Sequence, residues 1–240
     1  MTQTEKKLPA FIPQVGFMEG DFGEAFLKEY NERARADYNG NSSLNVLSYR
    51  DGVVKGSNPF AVVLANQILR QEGLRTATQA DLEKALRTCA LNLSGFYEDT
   101  GLVLRSEDNH NTYLAKDLMN QVKRRNKKQK LPVMIPLTGL ELKTDSNSPH
   151  GLTFNLPESA EVIYAPILNK PGNFNSEDID AITGLPKQTG KGNRNLYTRD
   201  SGLSGLYLAS NLNLNSGDVS LASSDVNSRI VVVSEINKQN

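Results

Sequence analysis

The sequence has a single cysteine in 240 residues and no tryptophan. With one cysteine, Cys89, no intramolecular disulfide is possible, and a disulfide-stapled fold is excluded. Because free cysteines are frequently buried and Cys89 begins the apolar run Cys89-Ala-Leu91, we predict a buried structural thiol. A catalytic cysteine needs a histidine partner, and neither His110 nor His150 lies in a recognisable motif.

An excess of charge of either sign is also missing, since 27 basic side chains balance 27 acidic ones. The chain therefore lacks the overall field that draws a protein to nucleic acid or to an anionic membrane. No apolar run approaches the roughly 20 residues of a transmembrane helix, and the N-terminus lacks the apolar core of a signal peptide. We expect no membrane insertion, and a location in the cytoplasm or in a virion.

Helical spacing of apolar residues is concentrated in the first half of the chain, where capping residues mark the helix ends. Strand patterns follow, interrupted by prolines that indicate bends or edges. Four helices are predicted. The first begins at the N-cap Asp21 and ends at about Ala36, and the second begins at Asn58-Pro59 and is closed by Gly73. The third begins at a capping box at Thr78–Asp81, and the fourth runs from Thr112 to about Asn126. The predicted strands are a hairpin at 44–55 around Asp51-Gly52, then 102–104, 131–142 and 152–166, before a long loop at 171–194.

The segment from Ser201 to Ser228 uses only Ser, Gly, Leu, Tyr, Ala, Asn, Asp and Val. Its leucines alternate with polar residues, which places the leucines on the core face of a strand and the polar residues on the other face. We therefore predict that Tyr207, Asn213 and Asn215 point outward, between the paired leucines 206/208 and 212/214. The β-branched run Arg229–Val233 is typical of a buried central strand.

A fixed apolar frame that displays Tyr, Ser, Asn and Gly has the composition of an adaptable binding surface, in which Tyr207 is the expected anchor. The segment contains no His, Lys, Glu or Cys to activate a nucleophile, so we predict a protein that is not an enzyme. A pocket with a strongly perturbed titratable residue outside this segment would favour an enzyme instead.

Four ordered anchors in this part of the chain resemble the variable region of a diversity-generating retroelement variable protein of the archaeal type. They are Arg199-Asp-Ser-Gly-Leu-Ser-Gly-Leu206, Leu212-x-Leu-x-Ser216, Leu221-Ala-x-Ser224 and Arg229-Ile-Val-Val-Val233. The resemblance implies an α+β protein with a C-type lectin-like fold, helices mainly in the N-terminal half and a variable sheet at the C-terminal end. It implies one domain over 1–240, with a variable ligand-binding region at 199–233.

In that family, adenine-directed mutagenic retrotransposition rewrites the displayed residues and leaves the anchors fixed. Ser228 departs from the glycine expected before Arg229, which predicts a looser turn there. By resemblance the ligand-binding positions are Ser204, Tyr207, Ala209, Ser210, Asn211, Asn213, Asn215, Gly217, Asp218, Val219, Ser220, Ser223, Asp225, Val226 and Asn227.

The expected ligand is a macromolecule, with protein the first expectation and glycan the alternative, and neither a cofactor nor a metal is expected. The acidic groups Glu107/Asp108 and Glu177/Asp178/Asp180 do not match a calcium-binding loop. The competing hypothesis is a nucleic-acid-associated or viral structural protein that uses the basic run at 123–130. A solvated helix end is the favoured explanation of that run, because cations complement the helix dipole and the run has no interleaved aromatic residues. The sequence leaves the oligomeric state open.

Overall fold

A computed structural model describes residues 8–11 and 13–235 of the chain. Within these residues the fold is mixed α+β, as predicted, and the helices lie mainly in the N-terminal half. The helices are α1 (Gly20–Tyr38), α2 (Pro59–Leu69), α3 (Gln79–Arg87) and α4 (Thr112–Arg125). None of them is both long enough and apolar enough to cross a membrane.

The helix ends largely follow their local sequence signals. The Asn58 side chain accepts a hydrogen bond from the backbone N–H of Ala61, and Pro59 occupies the first helical position of α2, as predicted. The capping box at the start of α3 is also confirmed. The predicted cap of α1 is wrong by two residues, because Glu19 is the N-cap and Asp21 lies inside the first turn. An acidic residue there still stabilises the positive end of the helix dipole.

The strands are short, and most of them belong to one large sheet. In chain order they are β1 (Val15–Phe17), β2 (Ser48–Arg50), β3 (Val53–Lys55), β4 (Leu74–Thr76), β5 (Tyr97–Leu104), β6 (Val133–Pro136), β7 (Glu141–Thr144), β8 (Leu152–Asn155), β9 (Ile163–Tyr164), β10 (Gly172–Phe174), β11 (Arg194–Tyr197), β12 (Leu203–Leu208), β13 (Leu214–Asn215), β14 (Ser228–Arg229) and β15 (Val231–Ser234). The large sheet has the order β10-β11-β13-β12-β5-β6-β9, and β14 pairs with β5.

Both faces of this sheet are covered at its centre. Leu102 and Leu104 of β5 join a cluster that includes α2 and α4, whereas Val103 between them faces a second cluster with Leu206 and Leu208 of β12. The β5–β12 pair therefore forms a rigid support, because alternate residues of each strand are buried on opposite sides. Only the start of β5 and the end of β12 leave one face open.

Within the predicted strand 229–233, residues 229–232 are buried and Val233 is half-buried, and β15, which carries residues 231–233, is central between β1 and β4, whereas Arg229 lies in β14. Strand β15 belongs to a separate three-stranded sheet, however, and not to the sheet that carries β12. The predicted hairpin is confirmed as β2–β3, with Asp51 and Gly52 both at positive φ. Such a turn matches the twist of the paired strands.

Three sequence predictions are corrected. Cys89 is exposed rather than buried, because α3 ends at Arg87 and Cys89 takes a left-handed turn conformation (φ 53°) beyond it. The loop predicted at 171–194 contains β10, which pairs with β11. The strands predicted at 131–142 and 152–166 are each divided into two, β6 with β7 and β8 with β9.

Candidate binding site

An open pocket of about 290 Å³ lies where β5 begins and β12 ends. Its upper wall is the connection from β13 to β14, residues 217–227, which we call the outer loop. We call the cavity the Tyr/Asp pocket, after the side chains that give it its chemistry. Its lining residues are Ser57, Pro59, Tyr97, Asp99, Gly205, Tyr207, Asp218, Ser220, Leu221, Ser223, Ser224, Asp225 and Ser228.

The floor of the pocket is set by the register of β5 and β12. Tyr207 pairs with Asp99 across the two antiparallel strands, after a bulge between Leu206 and Tyr207. Directly paired residues lie on one face of a sheet, and Tyr97, two residues from Asp99, shares that face. The rings of Tyr97 and Tyr207 are 6.1 Å apart between centroids, with their planes tilted by 53°. Two aromatic rings and a carboxylate therefore meet at one end of the pair.

Asp99 is the most perturbed group of the pocket. Burial raises the pKa of Asp99 to about 6, the hydrogen bond from Ser57 opposes that rise, and the negative charge of Asp218 adds to it. Ser57 Oγ donates to Asp99 Oδ2 over 2.5 Å. Ser57 is placed there because the next residue, Asn58, is the N-cap of α2. The start of α2 thus positions the donor for the pocket carboxylate.

The pKa of Tyr207 is raised to about 12, first by burial and then by the nearby charges of Asp218 and Asp99. The phenol consequently stays protonated at neutral pH and offers a hydrogen-bond donor. Its ring is half-buried, and one part of it is open to the pocket. The structure thus places Tyr207 in the pocket wall, and its role as the aromatic anchor stays a prediction.

The outer loop is held by local turns and by contacts to the start of α2. Asp218 Oδ1 accepts from Ser220 N over 2.9 Å, and Asp225 Oδ1 accepts from Asn227 N over 2.7 Å. Such aspartate turns fix a short loop without regular structure. Leu221 is buried between the two turns, and Asn58 Nδ2 donates to the carbonyl of Ala222 over 3.0 Å. The loop is therefore anchored at its middle while its serines stay exposed.

The turn at Ser228, where the resemblance predicts glycine, is closed. Ser228 N donates to the carbonyl of Asp225 over 3.0 Å, and Asp225 N donates to Ser228 Oγ over 3.2 Å. Ser228 has no positive φ that would require glycine, and its carbonyl accepts from Gly56 N. The hydroxyl thus adds a hydrogen bond that glycine could not make, and a turn looser than in relatives, or a variant residue at 228, stays a prediction.

The structure brings five of the predicted binding residues together in the Tyr/Asp pocket, and these are Tyr207, Asp218, Ser220, Ser223 and Asp225. Around them, Asn211, Val226 and Asn227 are exposed, while Ala209, Ser210, Asn215, Gly217 and Val219 are half-buried. Val226 is the most prominent of these, with 71% of its surface exposed.

Ser204 and Asn213 are not displayed, and these two predictions are wrong. Ser204 is 0% exposed, because both faces of the sheet are covered where it pairs with Val103. Its Oγ accepts from Arg105 Nη1 over 2.9 Å and donates to the carbonyl of Ser216 over 2.6 Å. It is therefore a structural hydroxyl.

Asn213 is turned inward because the expected alternation fails before β13. Leu212 has a positive φ of 65° and is only half-buried, so the segment is not a continuous strand there. Asn213 consequently faces β11, where its Oδ1 accepts from Asn195 N over 2.7 Å. The side chain occupies the place of a strand-to-strand backbone hydrogen bond.

Several residues of the pocket lie outside the segment that the sequence singled out, namely Ser57, Pro59, Tyr97 and Asp99. The sequence gives no clear signal for Tyr97 and Asp99, because Glu98 and Thr100 alternate with them and are also polar, so polarity does not distinguish the two faces at the start of β5. Ser57 and Pro59 had no signal beyond their part in the start of α2.

A second depression, of similar volume, adjoins the Tyr/Asp pocket across Ser224 and Asp225. Unlike the pocket, it is lined by two cationic side chains, Arg50 and Lys55 of the β2–β3 hairpin. Lys55 also forms an ion pair with Asp51 in the turn of that hairpin. The two depressions thus have opposite charge on either side of the outer loop.

The basic run at 123–130 is partly used within the fold. Arg125 donates to the carbonyls of Ala160 and Leu156 over 2.8 and 2.9 Å, and Lys123 forms an ion pair with Glu107. The lysines at 127, 128 and 130 are exposed. Among the described residues, no group of three or more His, Cys, Asp or Glu side chains is arranged to hold a metal ion.

Comparison with protein-family models, with curated proteins and with solved structures finds no match to this chain.

Proposed function

We propose that the chain is a non-enzymatic ligand-binding protein that displays a diversified surface on a C-type lectin-like scaffold. The observation that carries this proposal is the convergence of five sequence-predicted positions on one open pocket, while the leucines of the same segment are buried. The expected ligand is a macromolecule, in the first place a protein.

The separation of buried and displayed residues supports this function physically. Changes at exposed positions of a rigid frame usually alter stability by no more than about 0.5 kcal/mol. Loss of a buried leucine costs about 2–5 kcal/mol. A surface anchored at Leu206, Leu214 and Leu221 can therefore change its displayed side chains and still fold. Its preformed shape also reduces the ordering cost of binding.

The lectin-like fold and the retroelement origin rest on the resemblance of the four anchors in residues 199–233. A mixed α+β chain with its helices mainly in the N-terminal half is compatible with that resemblance. The deciding test is genetic. The structure provides matched positions for it, because serines of the same segment are exposed in one place and buried in another.

The experiment is deep sequencing of this gene in a natural population, together with a search for a near-copy of the 199–233 coding segment beside a reverse transcriptase gene. We expect substitutions at adenines of the codons for Tyr207, Asp218, Ser220, Ser223 and Asp225. The matched controls are Ser204 and Ser216, two serines that are buried in the frame and should stay constant. Variation spread evenly over buried and exposed codons, or no near-copy in a complete genome, would contradict the proposal.

One observation favours a second function, which is acid–base catalysis. Asp99 lies outside the C-terminal segment, in a pocket, with a pKa of about 6 and a serine hydroxyl at hydrogen-bond distance. Such shifted groups are frequent in active sites. However, a serine nucleophile needs a base such as histidine or lysine, and the pocket lining has neither. Turnover of p-nitrophenyl esters or glycosides that Asp99→Asn abolishes would establish an enzyme, and no turnover supports the binding protein.

A further inference from the structure

The lining of the Tyr/Asp pocket carries charge of one sign. It contains three aspartates, Asp99, Asp218 and Asp225, and no lysine, arginine or histidine. The cationic side chains Arg50 and Lys55 line the second depression beyond the outer loop, and Arg199 donates to the carbonyl of Gly217 beside Asp218 without lining the pocket. The negative potential of the pocket is therefore not neutralised from within, and clefts with low-dielectric walls concentrate such a potential.

The hydrogen-bonding capacity of the Asp99 carboxylate is only partly used within the protein, which indicates a place for a ligand. Ser57 donates to one of its carboxylate oxygens, and among the described residues no second donor or ion-pair partner contacts this side chain. Removing a carboxylate from water is costly unless it is paired. Asp99 nevertheless occupies the floor of an open cavity, where a cationic guest would supply the missing partner.

The two tyrosines provide the second element of a cation site. Tyr97 and Tyr207 stand 6.1 Å apart, tilted by 53°, beside the Asp99 carboxylate. A cation near the face of an aromatic ring is attracted by the ring quadrupole, more strongly where water is excluded. The serines of the rim, Ser220 and Ser223, add hydroxyl oxygens that can accept from an ammonium or guanidinium group.

The size of the pocket restricts the guest to one side chain. Its volume of about 290 Å³ is at the lower end of sites for small molecules, which span about 300–1,000 Å³. An oligosaccharide needs a longer groove. The exposed Val226 on the outer loop offers an apolar contact for the surface around an inserted side chain. These features together favour a projecting residue of a partner protein.

We propose that the Tyr/Asp pocket receives a lysine or arginine side chain of a partner protein, which lies against the rings of Tyr97 and Tyr207 and is held by Asp99 and Asp218. This inference rests on the proposed binding function and specifies the chemistry of the ligand. It concerns the pocket alone and does not depend on how the gene is diversified.

The first experiment is an NMR titration of the full-length protein with Nα-acetyl-lysine amide and Nα-acetyl-arginine amide as probes. The matched neutral probes are the amides of Nα-acetyl-norleucine and Nα-acetyl-citrulline. We expect saturable shifts of the backbone amides at 97–99, 205–207 and 218–228 with the basic probes only. Equal binding of the neutral probes, or no saturable shifts with the basic ones, overturns the inference.

Variants identify the groups responsible. Asp99→Asn and Asp218→Asn should each weaken the basic probes by about tenfold, which corresponds to about 1.4 kcal/mol. Asp37→Asn, at an exposed site on α1, is the control and should leave binding unchanged. Asp218 is exposed, so its variant keeps the test valid even if the Asp99 variant folds poorly. Unchanged binding in both pocket variants would show that the carboxylates do not hold the probe.

The pH dependence gives an independent readout. The charged groups around Asp99 are Asp218 and Asp225 of the outer loop and, on the opposite face of β5, Glu98 with Arg229, while Tyr207 is neutral in this range. Protonation of Asp99 removes the charge that attracts a cation, so affinity for the basic probes should fall as the pH is lowered through about 6. In Asp99→Asn this fall should be much smaller. A wild-type affinity that is constant from pH 7 to 5 speaks against Asp99 as the counter-charge.

Failure of this inference is distinguishable from failure of the proposed function. If the displayed codons vary in the population while the basic probes leave the pocket unperturbed, the cation proposal is wrong and the diversified binder stands. If the probes bind and no variation or near-copy exists, the cation site stands and the retroelement proposal is wrong.

Discussion

Two parts of the C-terminal segment are built from the same residue types and have opposite roles. In β12 and β13, which we call the frame strands, Ser204 and the adjoining Ser216 are fully buried, whereas Ser220 and Ser223 of the outer loop are exposed. The difference lies in their partners. Arg105 donates to both buried hydroxyls, over 2.9 and 2.8 Å, and no side chain outside the loop contacts the exposed pair.

Arg105 shows what the frame requires of its polar residues. Its guanidinium also donates to the carbonyl of Leu168 over 2.9 Å, so that it joins β5 to the frame strands and to the chain after β9. Burial lowers the pKa of Arg105 to about 10, with a further lowering from Arg199 and an opposing effect of Asp200. It remains charged at neutral pH. Ser204 and Ser216 are therefore structural because an arginine reaches both hydroxyls, whereas Ser220 and Ser223 have no such partner and are available for display.

The largest expected loss of stability comes from breaking the buried ion pair that joins α3 to β11, beside the frame strands. Glu83 of α3 pairs with Arg194 of β11 through two hydrogen bonds of 2.7 Å, and the side chains are 5% and 7% exposed. Because Glu83→Ala leaves a buried arginine unpaired, we expect a loss of about 3–5 kcal/mol in the free energy of unfolding. Urea unfolding followed by far-UV circular dichroism measures it, since the chain has no tryptophan.

The matched control for Glu83→Ala is Asp178→Ala. Asp178 is 3.9 Å from Lys187 at the surface, and such exposed pairs contribute about 0–1 kcal/mol. Equal losses in the two variants would mean that the buried pair gives the frame no special support.

A smaller effect is expected when one apolar residue is shortened in each part. Leu214 of β13 is fully buried, so Leu214→Ala should cost about 2–5 kcal/mol. Val226→Ala in the outer loop should change stability by no more than about 0.5 kcal/mol, because that side chain is 71% exposed. Thermal unfolding of both variants under one buffer condition checks the contrast. A costly Val226→Ala would show that the outer loop belongs to the core.

The same substitution at two serines tests the comparison most directly. Ser204→Ala leaves the Arg105 guanidinium and the Ser216 carbonyl each short of a partner, and we expect a loss of about 1–3 kcal/mol. Ser220→Ala removes only an exposed hydroxyl and should be nearly neutral. The denaturant midpoints of unfolding of the two variants are compared. A Ser204→Ala variant as stable as the wild type would show that the Ser204 hydroxyl has no structural role.

These contrasts explain how far the sequence could predict the structure. Signals confined to a few neighbouring residues were reliable: the cap at Asn58, the capping box at Thr78 and the Asp51-Gly52 hairpin all depend on local geometry. The largely buried run at 231–233 was recognisable because β-branched residues without alternation need cover on both faces. The α+β class followed from such local signals.

The site was only partly predictable, because display depends on distant partners. Nothing near Ser204 in the sequence indicates Arg105, and nothing near Asn213 indicates that Asn195 would use its side chain. The pocket also draws Asp99 and Ser57 from the N-terminal half, through a strand pairing and a helix start that are far away in sequence. Alternation predicts which face of a strand a residue occupies, but a bulge or a residue with positive φ changes the face of the residues that follow.

The last prediction concerns the cost of keeping a carboxylate in the pocket. Since the pKa of Asp99 is raised from 3.8 to about 6, the folded protein binds this proton more tightly than the unfolded chain does. The stabilising contribution of the protonated group is therefore complete below about pH 4 and is lost as the pH rises through about 6.

Asp99→Asn keeps an acceptor for Ser57 but cannot ionise. It should match the wild type near pH 4 and be more stable at pH 7, by on the order of 1 kcal/mol after allowance for water in the open pocket. Unfolding midpoints at pH 4, 5, 6 and 7 measure this difference. The pKa of the buried Glu98 is raised by its own burial and then by the charge of Asp99, so Asp99→Asn also relieves Glu98, which adds to the stability of the variant at pH 7 in the same direction. If the two stability profiles run parallel, Asp99 is not strained by burial. If they diverge as expected, the pocket retains a charge that folding disfavours, in contrast to Ser204 and Ser216, whose buried hydroxyls are hydrogen-bonded to Arg105.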